Sequence, residues 1–226
     1  MLSVGIIIVC AGRGRRLQNQ AKAFLRVAGK PVLYYSLKAF LAREEVREIV
    51  LVLRKEHFGQ AQAVARTLKA PRTRIVCVEG GKERQDSVYH GLKALDPQLE
   101  YVLVHDGARP FVSQEVIGRV VGALEKYPAV VCGLRARDTL KTVNPRDEVV
   151  ATVDRKNFVA VQTPQGFRRN ILMKAYRDYT GGVFFDDAQV VESCGTRVRV
   201  VEGDIRNFKI TYPDDVALAQ MIIKAL

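Results

Sequence analysis

Metal-ligating side chains are scarce in this chain of 226 residues. There are three histidines (His57, His90, His105) and four cysteines (Cys10, Cys77, Cys132, Cys194). No two cysteines form a C-x-x-C pair, and no histidine has a ligand at metal spacing, which argues against a zinc site or a disulfide framework. Cys77 and Cys132 lie inside apolar runs, where a reduced thiol serves as a small hydrophobe. No apolar stretch approaches the roughly 20 residues that span a bilayer. The N-terminus has no basic, then apolar, then small-residue pattern of a secretion signal. These absences predict a reduced, cytoplasmic protein with no membrane segment.

Two nucleotide fingerprints are also missing. The loop after the first apolar run reads "CAGRGRRLQNQAK", Cys10 to Lys22, and has Leu17 where a dinucleotide-binding loop would have its third glycine. The acidic residue expected after the second strand is replaced by "RKEH", beginning at Arg54, and no Walker pattern occurs. The balance of charge is +12. Nucleic-acid binding would place that charge in a basic stripe interleaved with aromatics. Here several of the basic residues fall in glycine-containing loops after strands, which favours small polyanionic substrates.

Hydrophobic residues make up 48% of the chain and fall into alternating strand-like and helix-like segments. Val4 to Val9, Ile49 to Leu53, Arg74 to Val78, Tyr101 to His105, Ala129 to Leu134 and Arg197 to Glu202 read as strands. Most are apolar on both faces, as in a sheet covered on both sides. Helical patterns open at Pro31 and cover His57 to Leu68, Arg84 to Leu95, and a segment capped by Ser113. A last helix begins near Thr211, where Thr211 and Asp214 have capping-box spacing. This rhythm predicts one α/β domain over residues 1–226, a doubly wound, mostly parallel sheet. From Arg135 to Gln165 the helical period stops. "TLKTV", "EVVATVD" and "FVAVQTP" are strand-like, separated by turns at Asn144 to Asp147 and Arg155 to Asn157. This predicts a projecting β-arm at about 135–158, whose unpaired edges call for a cover: a second subunit in a homodimer or, alternatively, the arm's own domain with the hairpin folded back on it.

In an open parallel sheet, ligands sit at the carboxyl ends of the strands. Gly12 and Gly14 let backbone N–H groups approach a ligand, and Arg13, Arg15, Arg16 and Lys22 add charge, so the first loop reads as a phosphate site. Other loops fall at the same edge. "EGGKERQDSVYHGL" carries Gly80, Gly81, Arg84 and Ser87. "HDGARPF" carries Asp106 and Arg109, and "EGDIRNFKIT" carries Lys209. The arm carries Thr139 and Arg155. Asp106 is placed to hold Mg²⁺ between phosphates or, alternatively, to cap a turn. His105 reads as a packing or hydrogen-bonding group, because adjacent strand residues point to opposite faces.

In order along the chain, "AGRGRRL", "GGKERQDSV", "VHDGARPF", "DTLK", "TVDR", "QTPQGF", "FDDA" and "NFKIT" resemble the 2-C-methyl-D-erythritol 4-phosphate cytidylyltransferase family. The resemblance implies a Rossmann-like three-layer nucleotidyltransferase fold with a mixed sheet and a β-arm pairing two subunits. It implies transfer of CMP from CTP to the sugar phosphate, with Mg²⁺ as cofactor. Arg16 and Lys22 would stabilise the transition state, Arg15 being the other candidate arginine, and Lys209 would position the acceptor phosphate. Ala11, Gly12, Gly14, Arg15, Gly80, Gly81, Arg84, Ser87, Gly107 and Ala108 would surround CTP. Asp106, Arg109, Thr139 and Arg155 would meet the acceptor, Thr139 and Arg155 from the partner's arm, with Asp106 also the metal ligand. The family usually has Ala where Cys10 and Gly107 stand and Pro where Ala21 stands, and its first loop is one residue longer. Two other readings are a sister enzyme acting on ribitol 5-phosphate and a non-catalytic module that meets RNA or a membrane through its charge.

Overall fold

The computed structural model describes residues 2–12, 21–178 and 181–224. Arg13, Gly14, Arg15 and Arg16 of the predicted phosphate loop lie outside the described residues. Strand β6 (Tyr101–Asp106) occupies the middle of a seven-stranded sheet; β1 (Val4–Val9) lies beside it, followed by β4 (Val46–Leu53) and, at one edge, β5 (Arg74–Glu79). On the other side follow β10 (Val159–Arg168), β7 (Ala129–Arg135) and, at the far edge, β11 (Arg199–Glu202). All neighbouring pairs are parallel except those made by β10, which runs antiparallel to β6 and β7. Two residue pairs form a small ribbon, β2 (Arg26–Val27) with β3 (Lys30–Pro31).

Strand periodicity sorts the core into two layers. Ile6, Ile8, Ile49, Leu51 and Leu103 pack on one face with α1 (Val32–Leu41), α2 (Phe58–Thr67) and α4 (Gln114–Leu124). Ile7, Val50, Val52, Val102 and Val104 face the opposite way. They pack with α3 (Arg84–Ala94), α5 (Arg169–Asp178) and α6 (Asp187–Glu192). The successive residues Ile6, Ile7 and Ile8 are all fully buried, which is why the strand reads as an unbroken apolar run.

The α/β architecture and the parallel core agree with expectation, and several boundaries are corrected. β4 begins at Val46, where burial starts, and β11 only at Arg199. Pro31 pairs in β3 and precedes α1 instead of opening it. Helices α5 and α6 were not anticipated. The arm is the two-stranded hairpin β8 (Leu140–Val143) and β9 (Val149–Val153), whose turn spans Asn144 to Asp147 as expected. "FVAVQTP" departs from the arm: Val159 to Val161 pair with the end of β7 in the main sheet. Of the cysteines, Cys132 is buried, Cys10 and Cys77 are half-buried, and Cys194 is exposed.

Helix α7 (Pro213–Lys224) follows the last loop, but its cap differs from the predicted one. The Asp215 carboxylate accepts from the backbone N–H groups of Thr211 (2.7 Å) and Tyr212 (2.8 Å), a role the sequence spacing had given to Asp214. Loss of a capping side chain costs about 1 kcal/mol. Asp215→Ala should therefore lower stability in urea by about that amount, while Asp214→Ala, on the exposed side, should stay within about 0.5 kcal/mol.

Candidate active site

Six strands of the large sheet end at one edge, and β10 starts there. The loops that leave this edge enclose a cavity of about 720 Å³. Ala11 and Gly12 follow β1, and Lys22 stands at the start of a short 3-10 turn, Lys22–Phe24. Arg54 follows β4, while Gly80, Gly81, Arg84 and Ser87 lie between β5 and the first turn of α3. Asp106, Gly107 and Ala108 end β6, and Lys209 comes from the loop after β11. Eleven of the predicted site residues thus line one cavity.

Close backbone contact explains the glycines. A Cβ on Gly80 would lie 2.5 Å from the Cβ of Ala11, so the first and third loops can touch only without it. A Cβ on Gly81 would lie 2.2 Å from that of Asp86. Glu83 and Asp86 form a capping box at the start of α3. The Ser87 hydroxyl accepts from the Gly81 N–H and donates to the Glu83 carbonyl, both at 3.1 Å. It shapes the loop and faces the cavity from within that hydrogen-bond pair.

Asp106 is the electrostatic centre. The carboxylate meets Lys209 Nζ at 2.8 Å, Arg84 at 3.4 Å and Arg109 Nε at 3.7 Å. Burial pushes its carboxyl up, but Lys209, Arg84 and Arg109 outweigh burial and hold it well below the usual carboxylate range. Asp106 is therefore ionised, and its carboxylate is held by three cationic side chains instead of capping a turn. Cys10, behind the same loop, is a protonated thiol: burial and the neighbouring Asp106 push it up to about 12.

A second layer of polar groups fixes this centre. The Thr163 hydroxyl accepts from the Asp106 N–H (3.0 Å), leaving its proton for His105 Nδ1 (3.1 Å). His105 Nε2–H then donates to the Arg109 carbonyl (3.0 Å), so the ring is neutral, and its burial pushes it down to about 4. His105 is a hydrogen-bonding group packed edge-on against Phe40, as expected. Asn207 donates to the Thr163 carbonyl (2.8 Å), tying the loop of Lys209 to β10.

Three predicted residues are not brought to the cavity. The Arg109 guanidinium turns behind Asp106 and donates to the Asn207 carbonyl at 2.7 Å. Thr139 and Arg155 are exposed beside the arm, where the Arg155 guanidinium donates to the Arg137 carbonyl. Among the described residues no three His, Cys, Asp or Glu side chains gather as metal ligands. The sequence reading also missed lining residues. Arg54 directly follows a strand at the same edge and was reachable by the rule applied to the other loops. Lys82 and Glu83 lie inside a motif already quoted.

The family model described as IspD, 2-C-methyl-D-erythritol 4-phosphate cytidylyltransferase, matches residues 4–225. The chain belongs to this family. A cytidylyltransferase of that name from Caldanaerobacter subterraneus is 38% identical over 226 residues, covering 99% of this chain and 100% of that protein. One from Alkaliphilus metalliredigens is 40% identical, covering 97% of this chain and 92% of that protein. The crystal structure of 4-diphosphocytidyl-2C-methyl-D-erythritol synthase from Anaerococcus prevotii matches with a TM-score of 0.88 at 32% identity. It covers 99% of this chain and 96% of the other. The mixed α/β fold of this cytidylyltransferase family member is the one the resemblance implied.

The cavity wall at Gly107 has no room for a side chain: a Cβ there would lie 2.2 Å from Cys10 Sγ. Gly107→Ala alone should lose about 1–3 kcal/mol in a denaturant melt, the range for overpacking. Adding Cys10→Ala should restore most of it. Equal losses in both backgrounds would separate the two positions.

Proposed function

We propose that the protein transfers CMP from CTP to 2-C-methyl-D-erythritol 4-phosphate, giving 4-diphosphocytidyl-2-C-methyl-D-erythritol and pyrophosphate. The observation that carries this reading is membership of the cytidylyltransferase family over residues 4–225. The site chemistry supports it: Lys22, Arg84 and Lys209 line one cavity with two glycine loops. The same match does not favour ribitol 5-phosphate as acceptor.

An acceptor phosphate oxygen attacks the α-phosphorus of CTP, the new P–O bond forms, and the bond to the departing pyrophosphate breaks. The acceptor phosphate is already ionised, so no general base is needed. The barrier lies in bringing two polyanions together, and positioning with charge neutralisation lowers it. Backbone groups around Gly12, Gly80 and Gly81 approach the nucleotide. Lys22, with Arg16 or Arg15 of the same loop, neutralises charge at the α-phosphate. Lys209 turns from Asp106 to the acceptor phosphate, and Arg109 braces both from behind.

Asp106 offers one ionised carboxylate at the cavity wall and is the residue that would hold a magnesium ion there. Such an ion would supply further charge neutralisation on the phosphates.

The arm supports a homodimer. Val143, Val149 and Val150 on the hairpin are 55%, 62% and 66% exposed, an apolar edge that a second arm would cover. In that dimer Thr139 and Arg155 serve the partner's site, which accounts for their absence from their own subunit's cavity. We read the +12 charge as serving these polyanionic substrates, not nucleic acid or a membrane, in a cytoplasmic setting. No described helix is long and apolar enough to cross a membrane.

Pyrophosphate release decides the acceptor. With CTP and magnesium, methylerythritol phosphate should support turnover and ribitol 5-phosphate should give at most about a hundredth of it, the scale on which a site tuned to one set of hydroxyls discriminates. Comparable rates with both would return the sister activity.

A mixed dimer tests the shared site. Lys22→Ala and Arg155→Ala homodimers should each lose roughly a hundredfold or more of kcat. After subunit exchange, a hybrid of the two has one intact site and should recover about half of wild-type activity per dimer, since active sites add when independent. Exchange without recovery would place Arg155 in its own subunit's site.

A further inference from the structure

Arg84 is the first residue of α3, where the positive end of the helix disfavours a cation. Two carboxylates hold it there. Asp106 is one, at 3.4 Å; the other is Asp187, whose Oδ2 lies 2.8 Å from an Arg84 guanidinium nitrogen. Asp187 is wholly buried, whereas the Arg84 side chain keeps 28% of its exposure and lines the cavity. Behind Asp187, the Tyr176 hydroxyl of α5 donates to Oδ1 at 2.7 Å.

The segment before Asp187 is fastened to the same helix turn. Gln85 donates to the Gly182 carbonyl (2.9 Å) and accepts from the Phe184 N–H (3.0 Å). On its other side, Gln165 of β10 donates to Asp186 (2.8 Å) and accepts from the Ala188 N–H (3.0 Å). Asp187 is thus clamped between α3 and β10 while its charge points at one guanidinium. A buried ion pair is seldom the most stable filling of a core, and apolar residues of similar volume do as well or better. Stability alone therefore gives no reason for this carboxylate, whereas the far end of Arg84 faces the ligand cavity.

We propose that Asp187 is a positioning residue for the nucleotide: it pins the Arg84 guanidinium to the cavity wall, with Tyr176 fixing its orientation from behind. The inference rests on the nucleotide reading of the cavity given above. Without Asp187 the guanidinium has only Asp106 as a carboxylate partner, swings towards it, and no longer meets CTP.

CTP binding by calorimetry, on the full-length protein with magnesium and no acceptor, tests this in a double-mutant cycle. Asp187→Asn should raise the Kd for CTP about tenfold, which is about 1.4 kcal/mol. In an Arg84→Gln background the same substitution should change Kd by less than about twofold, because the group it acts through is gone. Melting temperatures measured alongside fall in both backgrounds whether the role is structural or positioning, so the coupling in affinity decides. A tenfold loss in both backgrounds, or wild-type affinity in Asp187→Asn, overturns the proposal. If Asp187→Asn does not fold, Tyr176→Phe replaces it. That variant should weaken CTP binding about threefold, the scale of one lost hydrogen bond, only when Arg84 is present. Equal weakening in both backgrounds, or none in either, overturns the proposal as well. Failure of the wild-type protein to bind CTP would instead overturn the nucleotide reading, and this inference with it.

Discussion

A negative charge buried among positive ones organises the molecule. Asp106 ends the middle strand of the sheet, and the groups that hold it come from three different parts of the chain: Arg84 from α3, Arg109 from its own turn and Lys209 from the loop after β11. Burying a lone carboxylate is costly, so the three elements must assemble for any of them to be stable. Arg84, Arg109 and Lys209 offset that cost, so carboxylate and cations neutralise one another within the protein itself.

What could be read in the sequence follows from how local each signal is. Strands covered on both faces leave unbroken β-branched runs, so β1 and β6 were plain. The carboxyl-edge rule then placed Gly80, Asp106 and Lys209 together, although they are far apart in the chain. Helices α5 and α6 were missed because both are short and half polar. Leu172, Met173 and Tyr176 give only one apolar stripe in ten residues, too few for a period to stand out. Asp214 and Asp215 are adjacent and chemically equal, and only the turn of the chain at Tyr212 decides which one caps α7.

The polar groups behind the site were illegible for a different reason. Thr163 and Asp187 lie in motifs quoted from the sequence, "QTPQGF" and "FDDA", but neither bears an obvious ligand-binding chemistry. Their meaning depends on partners brought near by folding: the Asp106 N–H for one, the Arg84 guanidinium for the other. Arg109 was the converse case. Its position three residues after Asp106, at the strand end, suggested a ligand contact, and its side chain instead spans the gap to Asn207.

The antiparallel strand β10 has a consequence of its own. It enters the sheet beside the point where β7 leaves it, with Arg135 opposite Val159. Everything between them is, for the core, a single hairpin connection. The excursion can lengthen, shorten or change its sequence without moving a strand, because both its ends are anchored at one place by the ladder. A lineage is thus free to remodel the exposed hairpin while the strands that carry the cavity keep their places.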